Sequence, residues 1–75
     1  MNQTTFDVHL NVRQREGYLS AICAEVPGLH VIGQDAEQVR QSAMRAVVEL
    51  SQRNAGVQVR VSPTDDLAVL RVRVL

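Results

Sequence analysis

Residues 18–38, Y-L-S-A-I-C-A-E-V-P-G-L-H-V-I-G-Q-D-A-E-Q, decide the fold. They read as a strand, a tight turn, a second short strand and the capped start of a helix. Within 18–25, Leu19, Ala21 and Cys23 share one face, and Tyr18, Ser20, Ile22 and Ala24 share the other. Both faces are largely apolar, the pattern of a central strand covered on both sides. At Val26-Pro27-Gly28 the chain turns: Pro27 presets φ and Gly28 accepts the positive φ that a type II turn requires. Residues 29–32 make the short strand, and Gly33 ends it.

Upstream, residues 4–12 alternate strictly. Phe6, Val8, Leu10 and Val12 face one way; Thr5, Asp7, His9 and Asn11 face the other, as in a half-buried strand. The polar segment R-Q-R-E-G that follows predicts a hairpin turn closing at Gly17. Downstream, Asp35 is placed to cap a helix, with Gln38 three residues on as its reciprocal partner and Glu37 favouring the positive helix end. Ala36, Val39, Ala43, Ala46, Val47 and Leu50 recur at helical spacing, while Gln38, Gln41, Ser42, Arg45, Glu49 and Arg53 take the wet side. Glu49 and Arg53 are spaced for an i,i+4 ion pair. Gly56 supplies the left-handed cap.

Two β-rich runs close the chain. Residues 67–74 set Leu70, Val72 and Val74 on one face and Arg71 and Arg73 on the other. Residues 57–61 alternate but are short and precede Pro63, so whether they form a strand is left open. The expected fold is α+β: a single two-layer domain over 1–75, βββαβ or βββαββ, with one helix on a mixed sheet. That helix covers one sheet face. The second cover of residues 18–25 is expected from another molecule, which makes this chain a homo-oligomer or a partner-binding module.

Composition narrows the function. A chain of 75 residues buries only about 60% of its unfolded surface. One cysteine, Cys23, cannot form an intramolecular bridge, so association is the expected source of added stability. Eight arginines balance eight acids with no lysine, and direct nucleic-acid binding is not expected from a neutral chain. The first ten residues lack a positive n-region or apolar h-region, and no apolar run reaches the length of a membrane span, so a cytoplasmic location is expected.

Catalytic chemistry finds little support. Asp7, Glu25, Asp35, Glu37, Glu49 and Asp65-Asp66 are scattered, with Asp35 explained as a cap and Asp65-Asp66 as turn residues; a two-metal nuclease needs carboxylates that converge. His9, Cys23 and His30 lack metal-ligand spacing. No catalytic, cofactor or metal residues are assigned. The residues assigned to interaction are Tyr18, Ile22 and Ile32, with Val69 beside them, as an apolar patch on the face away from the helix, and Arg71 and Arg73, with Arg60, as a basic stripe. Two readings of the patch stay open: an intermolecular interface, or a surface covered by the C-terminal hairpin.

Residues 17–47, G-Y-L-S-A-I-C-A-E-V-P-G-L-H-V-I-G-Q-D-A-E-Q-V-R-Q-S-A-M-R-A-V, resemble the HicB-like antitoxin domain. Gly17-Tyr18, Val26-Pro27-Gly28, Gly33 and Asp35 through Glu37 match that family's order and spacing. The resemblance is close over residues 6–54 and looser to the final strand. It implies a partial ribonuclease-H-like fold and a non-catalytic role, masking a small toxin that cleaves messenger RNA. Many family members add a C-terminal DNA-binding segment; this sequence has none after Leu75, so autorepression by this chain alone is not expected.

Overall fold

The alternating residues at the start of the chain become β1 (Thr5–Gln14), which pairs antiparallel with β2 (Leu19–Cys23) through the expected hairpin. Gly17 supplies the turn with φ +83°, and Arg15 N donates to Tyr18 O at 2.7 Å. The computed structural model describes residues 4–75; residues 1–3, part of the stretch read for a leader, lie outside the described residues. β2 pairs with β3 (His30–Gly33) across the Pro-Gly turn, where Gly28 has φ +90° and Leu29 N donates to Val26 O at 3.2 Å.

The helix, α1 (Ala36–Ala55), starts where the capping pattern places it. Asp35 Oδ1 accepts from Gln38 N at 2.9 Å. The reciprocal bond differs from a capping box: Gln38 Oε1 accepts from Gln34 N at 2.8 Å rather than from the N-cap amide. Gly56 ends the helix in the left-handed region, φ 64°, its N–H donating to Gln52 O. The expected Glu49–Arg53 ion pair does not form among the described residues; Glu37 instead pairs with Arg40 at 2.7 Å.

Residues 57–61, left open by the sequence, contribute to β4 (Val59–Pro63), which pairs with β5 (Val69–Val74). The observed order is therefore βββαββ, in a five-stranded sheet arranged β3-β2-β1-β5-β4. Every pairing is antiparallel, which corrects the expected mixed sheet. The cause is β4. A single strand after the helix would return parallel to β1; β4 takes that direction at the far edge, so β5 runs the other way beside β1. β1 is thus the central strand, and β2, expected there, lies next to the edge.

The sheet curls around α1, which lies against β2, β3 and β4. Val39, Ala43 and Val47 of the helix bury against Val8, Leu10, Ala21, Cys23, Leu70 and Val72. Gly33 permits the close approach at the helix start: a Cβ there would lie 2.9 Å from Gln38 Cβ and 3.0 Å from Val39 N.

Candidate functional site

The side of the sheet away from α1 splits into two halves, and strand register sets their content. In the first half, Asn11 stands opposite Ile22 and Ile22 opposite His30, while Arg13 stands opposite Ser20 and Ser20 opposite Ile32. Tyr18 continues the alternation of β2 into the turn. The three large apolar residues stay in water: Tyr18 is 40% exposed, Ile22 50% and Ile32 59%. Ser20 lies buried among them, accepting from Arg15 Nε at 3.2 Å. β4 and β5 continue the sheet and do not fold over this face, so the reading in which the C-terminal hairpin covers it is corrected. Val69 does not join this cluster: it is half-buried opposite His9, on the side of the charged half.

The second half is charged. Asp7 and Arg71 are directly opposite, and Arg71 Nε donates to Asp7 Oδ1 at 3.1 Å. Arg73 stands opposite Thr5 on one side and Arg60 on the other, a like-charge cross-strand pair. Thr5, Arg60, Ser62, Arg71 and Arg73 line a shallow cleft of about 270 Å³. Arg73 Nε is buried there without a hydrogen-bond partner. The structure therefore brings Arg71 and Arg73 together, and it brings Tyr18, Ile22 and Ile32 together, but it sets the two groups on opposite halves of one face.

A polar cluster ties the halves at the middle of β1, where its pairing passes from β5 to β2. Glu25, just past β2, accepts from His9 N at 3.2 Å, bonds His9 Nδ1 at 2.8 Å and accepts from Cys23 Sγ at 3.4 Å. These bonds hold the Glu25 carboxyl down at about 2, and the same carboxylate raises His9 above its ordinary value. Burial raises the Cys23 thiol, with the Glu25 bond adding to it. A thiol so held is protonated and a poor nucleophile. His9 and Cys23 face opposite sides of the sheet, since Cys23 pairs with Leu10, and only Glu25 bridges them. The carboxylates are dispersed into separate contacts, and no group of three or more His, Cys, Asp or Glu among the described residues is placed to hold a metal ion.

Sequence reasoning missed the Glu25–His9 contact, although a hairpin closing at Gln14–Leu19 sets His9 level with Ala24 and so carries the signal. It also missed a groove of about 580 Å³ on the far flank of the helix, lined by Val48, Glu49, Gln52, Arg53, Gln58, Val59 and Leu75. The signal there was the Val47-Val48 pair: adjacent helical residues cannot both face the core, and Val48 is the exposed one. Among the described residues no helix is long and apolar enough to cross a membrane. In comparisons with known proteins, no family model, no curated protein and no solved structure matches the chain.

Proposed function

We propose that the chain is a non-catalytic interaction module of the HicB-like type, which self-associates and masks a small messenger-RNA-cleaving toxin through its helix-free face. One observation carries this reading: Tyr18 just before β2, Ile22 on β2 and Ile32 on β3 stand exposed, and no strand of the described residues folds over them. Large apolar residues grouped on a surface mark an interaction site, and isolated ones do not. Steric masking asks for an apolar anchor and a polar surround. The corner supplies the anchor, and Arg13, Asn11 and His30 surround it. Arg71 and Arg73 give the other half of the face guanidinium donors for a partner's carboxylates or carbonyl oxygens.

The resemblance of residues 17–47 adds the kind of partner. The test is co-expression with the product of the neighbouring reading frame, chosen as a short basic protein, followed by affinity capture. The reading expects capture by the wild-type chain, suppression of the partner's RNA cleavage, and loss of both with Ile22→Arg. Recovery of this chain alone, or capture indifferent to Ile22→Arg, would count against it.

A further inference from the structure

We propose that a second copy of this chain docks on the β3 edge, the two β3 strands pairing antiparallel about a two-fold axis while the α1 flanks meet, Glu37 of each facing Arg45 of the other. The inference rests on the self-association half of the functional reading and assigns it a surface.

The two edges of the sheet are built differently. β4 carries Arg60 as its second residue and Pro63 at its end, two devices that discourage edge pairing. β3, H-V-I-G, has no arginine, carboxylate or proline, and among the described residues only β2 pairs with it. An edge strand presents unpaired N–H and C=O groups, and antiparallel pairing about a two-fold is self-complementary for any sequence. Side-chain charge then decides whether the rest of the surface permits it.

The helix beside this edge does. Gly33 lies against Gln38 and Val39, whereas Gly28 lies against Leu50 and Pro27 O accepts from Asn54 Nδ2. α1 therefore runs antiparallel to β3. A strand advances about 3.3 Å per residue and a helix about 1.5 Å, so one step along β3 matches roughly two along α1. The middle of β3, Val31–Ile32, then lies level with Gln41–Ser42. The structure agrees with that level: Ile32 lines one groove of about 480 Å³ with residues from the Asp35 cap to Arg45, Gln41 and Ser42 among them.

An axis through the middle of β3 thus passes near Gln41. Glu37, whose exposed carboxylate also holds Arg40, and Arg45 stand four residues either side of it, one acidic and one basic. Two-fold rotation brings each to the other's level, so the flank is complementary to itself. Arg45 is open to this role, since its side chain meets only Ser42 Oγ, at 3.5 Å, and no carboxylate among the described residues.

Sedimentation of the full chain tests the geometry, with helical content followed by circular dichroism. Wild type should sediment as a dimer. Glu37→Arg alone and Arg45→Glu alone should each weaken dimerisation at least about tenfold, from like-charge contact across the axis. The double variant Glu37→Arg/Arg45→Glu should restore it, which a structural defect in either single variant would not do. A wild-type monomer would overturn both the proposal and the self-association it rests on. A dimer that both single variants leave unchanged, or that the double variant fails to restore, would overturn this interface and leave association through another surface standing.

Discussion

β1 shows two chemistries on one strand. On the helix side, Val8 and Leu10 are buried, Val8 completely. On the other side, Asp7 and His9, one residue away in each case, stand in water and hold Arg71 and Glu25. The first face holds the fold together by removing apolar area from water. The second adds little to stability, because exposed ion pairs are weak and screened. What that face offers instead is arrangement: an apolar corner, an arginine cleft and a titratable clasp between them. The difference teaches that stability and recognition are carried by alternate residues of the same strand, so substitutions can separate them.

The largest expected effect lies under the helix. Leu70→Ala removes a fully buried side chain beside Val8 and should cost about 2–5 kcal/mol in urea unfolding. A domain of this size holds on the order of 4–11 kcal/mol in total, so partial unfolding at 37 °C is expected. A loss below about 1 kcal/mol would mean that this face is not the core. Gly33→Ala comes next. It forces a methyl against Gln38 Cβ and the Val39 amide, and overpacking of that kind costs about 1–3 kcal/mol. Asp35→Ala, which leaves the Gln38 amide without its acceptor, should cost about 1 kcal/mol by the same measurement.

The clasp on the open face should be felt through pH more than through stability. Glu25 is lowered from 4.5 to about 2, so its contribution is present above 4.5 and fades as pH falls towards 2. His9 is raised above 6.5, so its contribution is complete below 6.5 and is lost as pH rises through the raised value. The pair is therefore strongest between about 4.5 and 6.5. Glu25→Gln should lower stability within that window, abolish the fall-off on either side of it, and return the His9 titration, followed by NMR, towards 6.5. A His9 titration that does not move would show that the bond is not formed in solution. Smallest of all, Ile22→Thr should change unfolding stability by no more than about 0.5 kcal/mol, as for an exposed β-branched swap. A larger loss would make the corner part of the core.

Much of this molecule is legible locally. Asp35, Gly28 and Gly56 mark a cap, a turn and a stop because each solves a backbone problem confined to a few residues. The helical spacing of Val39, Ala43 and Val47 names the buried stripe for the same reason. What the sequence hid is non-local. Whether β5 runs parallel or antiparallel to β1 depends on counting β4, and β4 is a short run ending in proline with weak local signal. The site was half legible: alternation puts Tyr18, Ile22 and Ile32 on one face. Only the cross-strand order shows that Arg71 and Arg73 share that face two strands away, and that β2 sits beside an open edge.

Amide chemical shifts of the labelled chain, recorded while the neighbouring-frame product is added, test most directly whether the helix-free corner is a recognition surface. The account predicts that the largest changes fall on residues 18–23 and 30–33, with Val39, Ala43 and Val47 undisturbed. Changes concentrated instead on Val48, Gln52, Arg53 and Gln58, the groove on the far flank of the helix, would contradict it.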